Sequence, residues 1–232
     1  RSPVRCGGQP GGPNPPPYAV KLADLEMSLG RRFARVTTNA VVASPRAWRA
    51  FRWLMRAQFD RIAPSWDAMR RPDAFASLEL TLDALPEPPQ HVLDLGTGTG
   101  RAAFLAARRF PQADVLGVAL AEGMLAEARA LTPPELAERV RFEVADAARL
   151  RFDDDSFDLV VLANMIPFFD ELDRVLAPGG YLAISFSAGP ETPIWVPPER
   201  LRRELGARGF TEFADFEGGG GTALLARKAD PI

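Results

Sequence analysis

From residue 91 onward the chain alternates between short apolar runs and stretches in which apolar side chains recur every three or four positions. Residues 91–95, 115–118, 140–144, 157–162 and 181–186 are runs dominated by Val, Leu, Ile and Phe, short enough for strands. Between them, 102–109, 124–131, 169–176 and 199–207 carry the helical spacing, and Pro178-Gly179-Gly180 ends the third of these helices. Residues 210–216 and 222–227, around Gly218 to Gly221, predict a closing hairpin. Such alternation implies the α/β class: a doubly wound, mostly parallel, seven-stranded sheet covered by helices on both faces, with an antiparallel strand at the end.

The first third reads differently. Residues 1–17 hold Gly7-Gly8, Gly11-Gly12 and Pro15-Pro16-Pro17 and have too little apolar surface to offset the entropy of ordering, so a disordered tail is expected. Residues 18–85 predict an N-terminal helical cap. Leu22, Leu25 and Leu29 have helical spacing, and Ser44-Pro45 looks like an N-cap followed by proline at the first helical position. Trp48, Phe51, Leu54, Met55 and Phe59 then form one apolar face, with Arg49, Arg52 and Arg56 opposite. An arginine face of this kind suits either an anionic surface or, the preferred reading, a helix packed on the body with solvated guanidinium groups. A helical stretch at 75–85 stops at Pro86-Glu87-Pro88-Pro89, which marks the entry to the main domain, residues 86–232.

Length and composition narrow the function classes. The 232 residues, 47% of them hydrophobic, suit one main domain with a modest appendage. A net charge of -2 gives no electrostatic reason to expect nucleic acid or an anionic membrane, and no apolar run is long enough to span a bilayer, so a small-molecule substrate and a cytoplasmic location are expected. Cys6 is the single cysteine and has no internal disulfide partner. No metal site is expected: the sole histidine, His91, and Cys6 stand apart, and Asp153-Asp154-Asp155 reads as a solvated turn. Oligomeric state is left open.

The sharpest signal is Val92-Leu93-Asp94-Leu95-Gly96-Thr97-Gly98-Thr99-Gly100, which runs from a strand straight into a helix. A turn this tight needs residues tolerant of positive φ, and a bound nucleoside needs close approach to bare backbone. Glycines at alternate positions serve both demands. A dinucleotide fingerprint would place its third glycine at position 101, where this chain has Arg101, which argues against nicotinamide or flavin.

Asp94 to Gly100 resembles motif I of class I S-adenosylmethionine-dependent methyltransferases. Gly117-Val118 with Gly123-Met124-Leu125, the stretch 142–147, Phe157-Asp158-Leu159-Val160-Val161 and Arg174 through Gly180 resemble later parts of the same family. Upstream, 59–67 looks like the aromatic-Asp segment that folds over the cofactor in small-molecule members. The resemblance implies a Rossmann-like fold and S-adenosylmethionine as cofactor. It implies that Gly96, Thr97, Gly98 and Gly100 line the cofactor, with Asp94 holding the methionine-end ammonium. It also implies Asp146 and the Ala147 backbone at the adenine edge, Leu120 and Met124 flanking the ring, and Asn164 near the transferred methyl. One departure stands out. Where the family ends its second strand with an acid that accepts both ribose hydroxyls, this chain has Ala119, and Glu122 is the nearby candidate to replace it.

No residue presents itself as a general base. His91 and Tyr181 each begin a strand, whereas ligands in open α/β sheets bind beyond the carboxyl ends. Tyr18, Asp60, Asp67, Asp170 and Glu171 are distant candidates, so the catalytic residue is left unassigned and proximity with desolvation is expected to dominate. Ile166, Phe168, Phe169 and the loop 187–198 with Trp195 are expected to wall a partly apolar substrate pocket. The competing reading is a catalytically inactive methyltransferase-like binding or interaction protein, favoured by Ala119 and the missing base.

Overall fold

A computed structural model describes residues 17–230 of the chain, with side chains from Gly30 onward. Residues 1–16 of the expected tail lie outside the described residues, and Pro17 opens the first helix.

Seven strands form one sheet: β1 (His91–Leu95), β2 (Asp114–Ala119), β3 (Val140–Val144), β4 (Phe157–Ala163), β5 (Leu176–Phe186), β6 (Phe210–Gly218) and β7 (Gly221–Lys228). Their order is β3-β2-β1-β4-β5-β7-β6. β1 through β5 pair in parallel, whereas β7 pairs antiparallel with both β5 and β6, as the sequence pattern implies. Strand order reverses between β1 and β4, so a crevice opens beyond the carboxyl end of β1, where open α/β sheets bind ligands.

Consecutive residues of the central strands are buried on opposite faces, which is why these strands read as continuous apolar runs instead of alternating ones. Leu93, Leu95, Val160 and Leu162 join one core cluster, and Val92, Leu159 and Val161 join the other. Helices α3 (Ala76–Asp83), α4 (Arg101–Arg109) and α5 (Glu122–Ala130) supply Leu78, Leu82, Ala103, Ala106 and Leu125 to the second cluster. On the other face, α6 (Phe169–Val175) and α7 (Pro198–Gly206) contribute Leu172, Leu201 and Leu205. α3, expected within the cap stretch, packs against β5, β6 and β7.

Preceding the sheet are α1 (Pro17–Ala43) and α2 (Trp48–Ile62), followed by two 3-10 turns, Ala63–Ser65 and Asp67–Met69. Trp48 and Met55 are buried in the first core cluster, and Phe51 and Phe59 pack against it. Leu54, expected on that apolar face, is instead exposed, because the contact takes only one narrow stripe of α2. Several polar ties hold the cap down. Among them, Trp48 Nε1 donates to Asp146 Oδ1 (2.7 Å), and Arg35 Nη2 donates to the carbonyls of Pro190 and Thr192, both at 3.0 Å.

One boundary differs from the sequence reading. The helix expected at 169–176 ends at Val175, and β5 begins at Leu176 instead of Tyr181, running through Pro178-Gly179-Gly180. Pairing with β4 accommodates this by a register irregularity between Phe157 and Leu159, so residues that read as a turn are carried in a distorted strand end.

Candidate active site

The crevice holds a cavity of about 140 Å³ at the carboxyl ends of β1, β2 and β4. The loop after β1 forms its floor. Gly96 and Gly98 adopt φ of 79° and 56°, and the N–H groups of Gly96 and Thr97 both donate to the Val118 carbonyl, at 2.8 and 2.9 Å. A Cβ at Gly96 would sit 2.7 Å from Met165 Sδ, and one at Gly98 would reach within 3.5 Å of Trp66 Nε1. Glycine therefore supplies both the backbone conformation and the close approach.

Asp94 lies under this loop, 1% exposed. Its Oδ2 accepts from Thr97 Oγ1 (2.6 Å), whereas Oδ1 is buried without a partner. Burial pushes the Asp94 carboxyl up to about 6, against the opposing pull of hydrogen bonds from Thr97 and the Ala103 N–H and of the Arg70 charge. An orphaned acceptor at a cavity wall is expensive unless a ligand donor completes it.

Most of the sequence-derived site comes together here. Asp94, Gly96, Thr97 and Gly98 line the cavity, as do Ala119, Leu120 and Met124, and from the other side Ala147 and Asn164. Gly100 and Asp146 do not. Gly100 is turned into the core, where a Cβ would meet Phe142 and Phe104 at 2.8 and 2.9 Å, so its glycine serves packing at the start of α4. Asp146 is occupied with the cap: Oδ1 accepts from Trp48 Nε1 and from the Ala148 N–H (3.1 Å), and Arg52 Nη1 stands 3.5 Å from Oδ2. Asn164 has φ of 55°, and its side chain is committed to Ser187, donating from Nδ2 to Oγ (3.0 Å) and accepting the Ser187 N–H at Oδ1 (2.9 Å). That amide is a brace between the ends of β4 and β5.

Other expectations are revised. Glu122, the candidate to replace the ribose acid, pairs with Arg129 at 2.6 Å and is not among the described wall residues. Phe168 and Phe169 are buried in the core, Phe168 edge-on to Trp48 at 5.5 Å between centroids, and Trp195 lines a separate surface groove. Ile166 does reach the cavity. So does Ile194 of the loop 187–198, and further apolar wall comes from Met165 and, on the cap side, from Trp48, Met55, Phe59, Trp66 and Phe75. His91 is exposed at the amino end of β1, 3.6 Å from Asp158, outside the cavity wall.

One charged cavity residue, Arg70, was not singled out by sequence reasoning. Among the described residues, Arg70 and Asp94 are the charged ones in the wall. The segment bearing Arg70 is fixed by Asp67, which accepts from Thr99 Oγ1 (2.6 Å) and from Arg101 Nε (2.7 Å) at the start of α4. Burial raises the Asp67 carboxyl, but those hydrogen bonds and the charges of Arg101 and Arg70 outweigh it and hold the group below its usual range.

Comparison with known proteins places this geometry. A family model described as a methyltransferase domain matches residues 92–180, from β1 to the start of β5. Residues 92–180 thus match a methyltransferase domain, carried on a Rossmann-like α/β sheet. The demethylmenaquinone methyltransferase of Thermus thermophilus is 40% identical over 138 residues, covering 54% of this chain and 62% of that protein. The trans-aconitate 2-methyltransferase of Deinococcus radiodurans is 36% identical over 159 residues, covering 63% of this chain and 58% of the relative. The chain thus spans about six-tenths of the length of these curated relatives. The fold is shared with a Mesorhizobium loti S-adenosylmethionine-dependent methyltransferase (TM-score 0.52, 22% identity, 66% of this chain and 97% of that one). It is shared also with Haemonchus contortus phosphoethanolamine N-methyltransferase 2 in complex with S-adenosyl-L-methionine (TM-score 0.55, 20% identity, 68% and 52%).

The cofactor of such a methyltransferase domain is S-adenosylmethionine, and the residues present fit it unevenly. The glycine floor and the orphaned Asp94 Oδ1 fit the amino-acid end. At the end of β2, where the resemblance puts the ribose, the wall offers Ala119 and Leu120, and Asp94 is the only carboxylate among the described wall residues.

Proposed function

We propose that this chain transfers a methyl group from S-adenosylmethionine to a small, partly apolar metabolite, chiefly by holding the two together in a site closed to water. The observation that carries this reading is the cavity itself: a glycine-floored acidic end under Asp94, continuous with walls of Met55, Phe59, Trp66, Met165 and Ile166. The cofactor supplies an activated methyl group on a sulfonium. Asp94 would bind the ammonium of its amino-acid end, Gly96 and Gly98 would allow the backbone to approach, and Leu120 and Met124 would flank the adenine. The aromatic wall from the cap excludes water and favours a flat or apolar acceptor, which raises effective concentration and removes the desolvation barrier at the moment of transfer. None of the described wall residues other than Asp94 offers a carboxylate or imidazole, so the acceptor would arrive as a free amine, a carbanion or a readily ionised hydroxyl.

Printed names of the relatives span a demethylated quinone and a small tricarboxylate. The apolar wall favours the quinone-like class. Incubation with S-adenosylmethionine and a panel of short-chain hydroquinones, phenols and organic acids, followed by S-adenosylhomocysteine release, tests the reading. Release with hydroquinones or phenols supports it, and release only with the acids moves the substrate class.

A second reading, a binding protein without turnover, is favoured by Ala119 and by the engagement of Asp146 with Trp48. Restoring an acceptor separates the two. Ala119→Asp is expected to tighten S-adenosylhomocysteine binding tenfold to a hundredfold, on the order of 1 to 3 kcal/mol. A chain that binds the cofactor tightly after this change and still releases no product with any acceptor is a binding protein.

A further inference from the structure

Charge is unevenly placed along this chain. Residues 30–62 hold eight arginines and one acid, a net +7 in a chain whose total is -2, so the remainder stands at -9. The total, which gives no reason to expect an anionic surface, conceals this asymmetry. Five of the arginines, from Arg46 to Arg61, lie on or beside α2, and all five are exposed. α2 also carries two apolar stripes. The inner one, with Trp48, Met55 and Phe59, walls the ligand cavity. On the opposite side Ala50, Trp53, Leu54 and Ala57 recur at helical spacing, and all four are exposed, Trp53 by 76% and Leu54 by 46%. We propose that this outer face of α2 docks on an anionic lipid bilayer, with Trp53 and Leu54 in the interfacial layer and the arginines against the headgroup phosphates.

Charge complementarity selects this occupant. Arg49 and Arg56 flank Trp53 one turn before and one turn after, and Arg61 borders Leu54 two turns on. Asp60, the single acid of the segment, is engaged elsewhere: its Oδ1 accepts the Gly123 N–H at 2.8 Å, and its Oδ2 stands 3.7 Å from Arg56. Arg52 is drawn to Asp146 at 3.5 Å, whereas among the described residues Arg46, Arg49 and Arg61 make no ion pair. Long arginine stems carry their charges to headgroup depth while tryptophan and leucine enter the acyl boundary. Nucleic acid would use the same cations, and Trp53 could stack on a base, but Leu54 between small alanines offers a base no partner. An anionic surface also repels the rest of the molecule, at -9, which turns the sheet away and α2 inward. Because the inner stripe of the same helix walls the cavity, docking sets that cavity about one helix diameter, roughly 10 Å, from the lipid. Delivery of an apolar acceptor by this path rests on the acceptor class proposed above; the docking itself does not.

Vesicle flotation of the full chain tests this, with phosphatidylcholine alone and phosphatidylcholine mixed with phosphatidylglycerol, in the absence of cofactor and acceptor. The mixed vesicles are expected to bind at least tenfold tighter than the neutral ones, a preference that falls at high salt. Arg49→Gln combined with Arg61→Gln should weaken binding about 25-fold, fivefold per charge. Trp53→Ser should weaken it at least fivefold. Trp53→Phe should keep binding but abolish the blue shift of tryptophan emission, since the other three tryptophans are buried or half-buried. No preference for the anionic vesicles, or a preference that both the double arginine variant and Trp53→Ser retain, overturns the inference. So does binding to duplex or single-stranded nucleic acid in place of vesicles, or self-association in sedimentation that Trp53→Ser abolishes, which would assign the face to a second copy. Vesicle binding by a chain that releases no S-adenosylhomocysteine with any acceptor overturns the proposed function and leaves the docking in place; turnover without vesicle binding does the reverse.

Discussion

Asp94 is the residue at which stability and function pull apart. Its folded carboxyl titrates near 6, above the usual carboxylate value of 3.8. Between those values the folded chain binds the extra proton, so this group's contribution to stability falls as pH rises from 3.8 to 6, and above 6 the buried charge persists. That burden is roughly 3 kcal/mol at neutral pH. Asp94→Asn removes the charge but strands an N–H₂ in place of Oδ1, so the net gain should be smaller, about 1 to 2 kcal/mol. Calorimetric melting at pH 7.5 should therefore show a rise of a few degrees together with at least tenfold weaker S-adenosylhomocysteine binding; a lower melting temperature would mean the carboxylate stabilises the fold. The same titration governs the ligand, since an ammonium needs the ionised form. Binding at pH 5 is expected to be about tenfold weaker than at pH 7.5, with proton release on binding near pH 6 that shows as a buffer-dependent heat. A pH-independent affinity would remove Asp94 from contact with the ammonium.

Among elements, the 3-10 turn Asp67–Met69 matters beyond its length because it joins the cap to the start of α4 through Thr99 and Arg101. Thr99 is buried, so cutting this link leaves its hydroxyl without an acceptor. Asp67→Ala should cost about 1 to 2 kcal/mol in denaturant unfolding. It should also speed amide exchange across residues 63–70 while leaving β1 and β4 protected; uniform loss of protection would show that the turn belongs to the global cooperative unit. α2 is tied in a comparable way, by Trp48 to Asp146, so the acid expected to meet adenine also fixes where the cap sits.

Taken whole, the molecule places its ligand cavity between two bodies of unequal burial: a sheet whose central strands are sealed on both faces, and a cap held by one stripe of α2 and a few polar ties. A ligand that fills the cavity contacts both, and should join them into one stability unit. S-adenosylhomocysteine at a hundred times its dissociation constant should add about 2.7 kcal/mol, raising the melting temperature by roughly 5 to 10 °C. Tryptic cleavage at Arg46, Arg49, Arg52 and Arg56 should slow in parallel. Thermal protection without slower cleavage there would place the ligand entirely on the sheet side.

The sheet and its glycine loop were legible in the sequence because their causes are local. A doubly buried strand must be a continuous apolar run, and a loop that turns sharply under a ligand must be glycine, so β1 to β4 and the wall residues Asp94, Gly96, Thr97 and Gly98 could be placed without coordinates. The departure at Ala119 was equally visible, since it is a matter of residue type at one strand end. Partnership was not. Whether Asp146 faces adenine or Trp48, whether Glu122 turns to ribose or to Arg129, and whether Phe168 lines the pocket or the core all depend on groups nearly a hundred residues away or on competing neighbours. The segment 59–67 was expected over the cavity and does line it through Phe59 and Trp66, whereas Arg70 was illegible: an unpartnered donor is defined by what the rest of the fold declines to offer it, and only tertiary packing makes that choice.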